Sequence, residues 1–406
     1  MSRMLSLCIG RHNKEGPTAI PNYCQPAAAA DARRFHSGLA GYQVTPLYDL
    51  PGLARLAKVG KVLVKDEAER FGLNAFKVLG ASYAIARLLA RRLGLDTSDL
   101  DFAKLTAAVQ AQEKQLTFVT ATDGNHGRAV AWAAQQLGQR AVVYLPQGAA
   151  PSRVAAIAGH GAEAVVLDTN YDEAVRFAAE QAEQKGWLLV QDTAWEGYEE
   201  IPSWIMQGYT TLAAEVWEQM RALGVQPTHV FLQAGVGSLA ASQLAYWQSQ
   251  KELAQPPQFV VMEPDNAACF YLSAQKDDGQ PHAVTGDLET IMAGLSCGEP
   301  NPLAWPILRD YAAAFASCPD YVAAYGMRIL GNPWLGGPRI TAGESGAVGA
   351  GLVALLAEPS YAQWRRRLQL DENSVVLLIN TEGATDPVNY EKVVWGGQYP
   401  LPSLEG

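Results

Sequence analysis

The chain runs to 406 residues, 49% hydrophobic and 18% charged, with a formal net charge of −10. That acidic balance, without any long basic run, argues against nucleic acid or an anionic membrane as a partner, and no apolar stretch reaches the roughly 20 residues that span a bilayer. Five widely spaced cysteines without CxxC spacing form neither a disulfide framework nor a zinc site, six scattered histidines without HExxH spacing give a metal-hydrolase centre little support, and no metal ligand is assigned.

Such a length predicts two domains rather than one compact core. The opening stretch MSRMLSLCIGRHNKEG holds too short an apolar run for a secretory signal, which points to the cytoplasm. RRFH (33–36) and, near the other end, WRRRLQ (364–369) read as solvated helix faces. The first buried strand is KVLVKD (61–66), followed by a helix over 81–94. Strand TFVTA (117–121), helix 127–138, strands AVVYLP (141–146) and AVVLD (164–168), helix 171–186 and strand WLLVQD (187–192) come next. Beyond them lie strand THVFLQ (228–233), helix 238–250, strand FVVMEP (259–264), a structured loop over 300–340 with one helix near 308–317, and strand SVVLLIN (374–380). Continuous apolar runs suit strands buried on both faces, and their alternation with helices predicts an α/β protein with mostly parallel sheet. Helices 127–138 and 171–186 both end at glycine, a common stop.

Four stretches carry candidate chemistry. In FGLNAFKVLGASYA (71–84), Lys77 is the only charge among fourteen residues. An amine held against apolar neighbours has its charged form disfavoured and becomes a usable nucleophile or base; the plainer alternative is a packed stem with its head in water. TATDGNHGRA places Thr122, Asp123, Gly124, Asn125 and His126 between a strand and a helix, where free N–H groups favour a substrate carboxylate, or where Asp and Asn simply cap. Gly235, Val236, Gly237, Ser238 and Leu239 open a helix after a strand, a setting for a phosphate. The same run fits a dinucleotide fingerprint, with Glu263 as the ribose acid, so a dehydrogenase is a rival reading. In LLINTEGATDP, Asn380, Thr381, Glu382 and Gly383 could present a hydroxyl inward or form only a turn.

Taken together, RFGLNAFKVLGASYA, TATDGNHGR, VQDTAWEGYEEIPSWIMQGY, IMAGLSCGEPNPLAWPIL and TAGESGAVG resemble the pyridoxal-phosphate enzymes of the tryptophan synthase β type, which include serine and threonine dehydratases. Within that family the chain is similar to the branch that cleaves 2,3-diaminopropionate. The resemblance implies fold type II: two open, mostly parallel twisted sheets flanked by helices, in a large domain (1–84 and 196–406) and a small one (85–195). It implies a homodimer and a small amino-acid substrate, D- or L-2,3-diaminopropionate, which with water yields pyruvate and two ammonia by α,β-elimination. Lys77 matches the lysine that holds pyridoxal 5′-phosphate covalently, Asn125 the residue at its 3′-oxygen, Gly235 to Leu239 the phosphate loop, and Thr381 the hydroxyl facing the pyridine nitrogen. Thr122, Asp123, Gly124 and His126 match the substrate loop. Leu79 departs from the pattern, since many dehydratases carry arginine there. Asp123 and Asp192 are the acids expected to serve a cationic β-amino group, because a nearby carboxylate favours the charged form that departs as ammonia. Cys269 and Cys297 flank motif stretches and could bridge, although a cytoplasmic setting disfavours it. A dehydratase-like lyase, the dehydrogenase and a non-catalytic binding protein of the same fold are the alternatives.

Overall fold

The computed structural model describes residues 4–10, 16–97, 100–122, 124–253, 255–333 and 336–402. Its strands are β1 (Ser6–Ile9), β2 (Leu47–Asp49), β3 (Lys61–Asp66), β4 (Thr117–Ala121), β5 (Arg140–Leu145), β6 (Glu163–Val166), β7 (Leu188–Leu189), β8 (His229–Gln233), β9 (Gln258–Pro264), β10 (Ala314–Cys318) and β11 (Val375–Asn380). They form a seven-stranded sheet, in the order β1-β10-β9-β8-β11-β3-β2, and a four-stranded sheet, in the order β6-β5-β4-β7. Pairing is parallel except at the two edges of the larger sheet, where β1 and β2 run antiparallel to their neighbours. This is the α/β architecture that the strand–helix alternation predicts. β3, β8, β9 and β11 are buried almost from end to end, which is why their sequences are apolar without a break.

Strand order brings the chemistry together. β8, β11 and β3 are adjacent and parallel, so the loops that follow them leave the sheet side by side. In the smaller sheet β4 and β7 are adjacent and parallel in the same way. One hydrophobic cluster joins the sheets, from Leu63, Val230 and Leu377 through Val78, Leu79 and Ile85 to Phe118 and Val143. The helix Val78–Arg92 crosses Glu200–Ala222 closely enough that a Cβ on Gly208 would lie 2.3 Å from the Leu79 carbonyl oxygen. In the core, Lys65 and Arg70 share the carboxylate of Glu215, and Arg70 also holds Glu67, all four fully buried. Such a network is tolerable in a core only because each charge is paired and hydrogen-bonded.

Several local expectations need correction. The helix expected near 308–317 is a short helix, Trp305–Tyr311, followed by β10 and then by a second helix, Asp320–Gly331. Pairing to β9 on one side and β1 on the other draws Ala314–Cys318 into the sheet. The strand expected over 187–192 keeps only Leu188–Leu189. After it the Gln191 N–H donates to the Tyr198 hydroxyl at 2.9 Å, and the Gln191 side chain accepts from Ala121 N at 3.0 Å in place of a further ladder bond. RRFH does lie on a helix, Pro26–Ser37, but Phe35 and His36 are buried rather than solvated, the imidazole bonding Thr211 Oγ1 and the Leu79 carbonyl. β1 and β2, short edge strands, were not anticipated.

Candidate active site

The loops after β3, β4, β7, β8 and β11 line one cavity of about 650 Å³. Lys77, Asn125, His126, Asp192, Gly235, Val236, Gly237, Ser238, Leu239 and Thr381 all contribute to its wall. Thr122 and Gly124 do not. Thr122 is fully buried, and its hydroxyl accepts the N–H groups of Gly124 and Gly127 at 2.9 and 3.0 Å, which caps the helix Asn125–Gln136. Asp123 lies outside the described residues.

Lys77 immediately precedes the helix Val78–Arg92, and the turn before it is tied to β11 by Phe76 N donating to the Thr381 carbonyl at 3.2 Å. The apolar-neighbour reading of this lysine is overturned by a carboxylate 115 residues further on: Lys77 Nζ donates to Asp192 Oδ2. Burial would push the Asp192 carboxyl up, but the Lys77 ammonium, His126 and the Tyr171 hydroxyl together hold it down at about 2. Tyr171 donates to Asp192 Oδ1 at 3.3 Å and accepts from Gln191 Nε2 at 3.0 Å. His126 spends Nε2 on the Val190 carbonyl at 2.8 Å, and its Nδ1 stands 3.9 Å from Asp192 Oδ2. Asp192 is therefore an anion at neutral pH, built to hold a cation at the cavity.

The turn after β8 is shaped for close approach. Gly237 sits at φ +93°, and a Cβ there would lie 2.4 Å from Phe270 Cζ. A Cβ on Gly235 would lie 3.1 Å from Cys297 Sγ. This glycine turn and the start of the helix Ser238–Gln248 line the cavity, a setting suited to a phosphate. The Ser238 hydroxyl is committed elsewhere: it donates to the Asp192 carbonyl at 2.6 Å and accepts from Asn301 at 2.8 Å, binding the loop to the chain beside Lys77. Thr381 Oγ1 accepts from Gln233 Nε2 at 2.9 Å, so its own proton is the group it can offer to a ring nitrogen. Lysine amine, anion cradle and hydroxyl donor around one cavity fit pyridoxal phosphate.

The dinucleotide reading fails on Glu263. That side chain is fully buried and accepts from the N–H groups of Phe270 and Tyr271, both at 2.7 Å, so it caps the helix Cys269–Lys276 and is closed to a ribose. Burial raises its carboxyl to about 8, against the pull of those N–H groups. Leu79 packs in the core, fully buried, and supplies no cation to the site. Among the described residues no disulfide forms, and Cys269 and Cys297 do not bridge. Sequence reasoning passed over Tyr171, Gln233, Cys297 and Ser345 at the cavity, and gave Glu382 no role there. Signals were there for three of them: Glu382 beside Thr381 in INTEG, Cys297 in IMAGLSCGEPNPLAWPIL and Ser345 in TAGESGAVG; Tyr171 and Gln233 come from runs that read as ordinary helix and strand.

The model of the pyridoxal-phosphate dependent enzyme family matches residues 39–382. The chain is 54% identical over 371 residues to a diaminopropionate ammonia-lyase of Escherichia coli (strain K12), covering 91% of this chain and 92% of that protein. The crystal structure of holo diaminopropionate ammonia lyase from Escherichia coli superposes with a TM-score of 0.90 at 51% identity, over 98% of each chain. A second crystal structure of that enzyme, in complex with an aminoacrylate-PLP azomethine reaction intermediate, superposes with a TM-score of 0.88 at 50% identity over 98% of this chain and 99% of that one. With a cavity built for the cofactor and likeness along nearly its whole length, the chain belongs to the pyridoxal-phosphate-dependent enzymes, in their diaminopropionate ammonia-lyase family.

Proposed function

We propose that this chain catalyses the α,β-elimination of D- and L-2,3-diaminopropionate with water, giving pyruvate and two ammonia. The observation that carries this reading is the Lys77–Asp192 pair at the rim of the glycine cradle. Lys77 would hold pyridoxal 5′-phosphate through its amine, Gly235 to Leu239 would receive its phosphate, Asn125 would serve its 3′-oxygen and Thr381 its ring nitrogen. The cofactor supplies the sink for the electron pair left when the Cα–H bond breaks.

The protein's own groups divide the proton work. The two enantiomers present the Cα proton on opposite faces, and one base reaches only its own face. Lys77 takes the proton of the L form, and Asp123 takes that of the D form. Asp192, a buried carboxylate aimed at the cavity, keeps the β-amino group charged and oriented for departure. A hydroxyl leaving group needs no such anion, which favours the diamino acid over serine or threonine. A homodimer, a cytoplasmic setting and a smaller lobe at 85–195 belong to the same proposal. The direct test supplies 2,3-diaminopropionate, L-serine and L-threonine to the holoenzyme and measures pyruvate or 2-oxobutyrate against ammonia. Two ammonia per pyruvate from the diamino acid, at the highest kcat/KM, are expected. Faster turnover of a hydroxy amino acid would make the chain a dehydratase instead.

A further inference from the structure

One buried carboxylate at the cavity has no part in the chemistry described so far. Glu382 is 1% exposed and forms part of the cavity wall just after β11. Its Oε2 accepts from Asn125 Nδ2, and its Oε1 accepts from the N–H of Ser345 at 3.2 Å. Its backbone forms an isolated bridge with Ala75, two residues before Lys77, and accepts from Gly343 N at 2.9 Å. The space for this side chain is made by a missing one: a Cβ on Gly343 would lie 2.9 Å from Glu382 Cγ. A single residue just beyond β11 therefore touches the Lys77 turn, the helix start that follows β4 in the smaller sheet, and the helix Glu344–Leu355.

The chemistry of that contact is one-sided. An ionised carboxylate can only accept hydrogen bonds, so an asparagine bonded to it must present its NH2 group and not its carbonyl. An amide NH2 carries two hydrogens. Glu382 engages one, and the other is what Asn125 has to offer the cofactor. The neighbouring acid shows how crowded this corner is: burial, and then the nearby Glu382, raise the Glu344 carboxyl to about 7.

We infer that Glu382 is a positioning residue that fixes the Asn125 amide with its nitrogen turned to the ring oxygen of pyridoxal phosphate. The inference rests on the reading of Asn125 as the cofactor's partner. Replacing Glu382 by glutamine keeps the volume but adds a donor, so the Asn125 amide loses its reason to face one way. Replacing it by aspartate keeps a group that only accepts.

The test titrates the apo forms of wild type, Glu382→Gln, Glu382→Asp, Asn125→Ala and the Glu382→Gln/Asn125→Ala double variant with pyridoxal phosphate. Cofactor Kd and the visible absorbance of the bound cofactor are read, with circular dichroism as the check on folding. Glu382→Gln should raise Kd about tenfold and move the visible band to where Asn125→Ala puts it, and the double variant should be no worse than Asn125→Ala alone. Glu382→Asp should keep the wild-type band; if the glutamine variant does not fold, that band decides, and an Asn125→Ala-like band from the aspartate variant would overturn the proposal. Additive losses in the double variant, or a weaker Kd with an unmoved band, would reduce Glu382 to a packing role while leaving Asn125 at the cofactor. An unchanged Kd and band in Asn125→Ala would overturn both.

Discussion

At the scale of the residue, Lys77 and its partners decide the chemistry. Lys77→Ala should remove the visible absorbance of the bound cofactor and reduce ammonia release at least about a thousand-fold, since both the covalent anchor and a base are lost. Circular dichroism would verify the fold, and substantial turnover by the folded variant would refute the assignment. The two aspartates should separate by isomer. Asp123→Asn is expected to depress kcat/KM on the D isomer by about a hundred- to ten-thousand-fold and on the L isomer far less, whereas Asp192→Asn should weaken both. An equal loss on both isomers from Asp123→Asn would reduce that residue to binding or capping. Lys77 was legible in the sequence as a lone charge, and its real surroundings were not. A window along the chain contains Phe76, Val78 and Leu79, but the carboxylate that meets Nζ is 115 residues away.

At the scale of the element, the glycine turn after β8 depends on atoms that are missing. Gly237→Ala would add a Cβ to a residue at φ +93°, 2.4 Å from a Phe270 ring carbon. Strain of that kind costs on the order of 1–3 kcal/mol, and the loop can relieve it by giving up the cradle. Cofactor Kd should therefore rise by about ten- to a hundred-fold, with a smaller change in the far-ultraviolet spectrum; an unchanged Kd would show that the loop does not hold the phosphate. The buried strands β3 and β4 match the sequence expectation at both ends, because an apolar run bounded by polar turns is a local signal. The sequence of β10 reads as helix because an Ala-rich stretch satisfies either periodicity, and only the edges offered by β9 and β1 decide between them. β7 shortens for a similar reason, since the Tyr198 hydroxyl takes the N–H of Gln191.

At the scale of the whole molecule, burial sets a pH dependence that does not involve catalysis. The folded protein keeps the Glu263 carboxyl protonated up to about 8, whereas an unfolded glutamate ionises near 4.5. Between those values the unfolded chain binds fewer protons, so this residue's contribution to stability is full below about pH 4.5 and is lost as pH rises through 8. Glu263→Gln should flatten that slope by an amount on the order of a few kcal/mol. Thermal melts of both proteins at pH 5 and pH 8 would read it, and parallel pH profiles would mean that Glu263 is ionised in the fold. By itself the sequence determined the α/β alternation and the loops that carry Lys77, Asn125, Gly235–Leu239 and Thr381, because periodicity and turn residues act over short stretches; the cofactor they suit came from the resemblance of those loops to a known family. Only the tertiary structure decided that Asp192 meets Lys77, that Glu382 meets Asn125, and that Glu263 turns into a helix cap. Those pairings follow from the strand orders β8-β11-β3 and β4-β7 and from the packing of the two sheets. Hydrophobic burial and backbone pairing across distant segments set that order, and no local pattern encodes it.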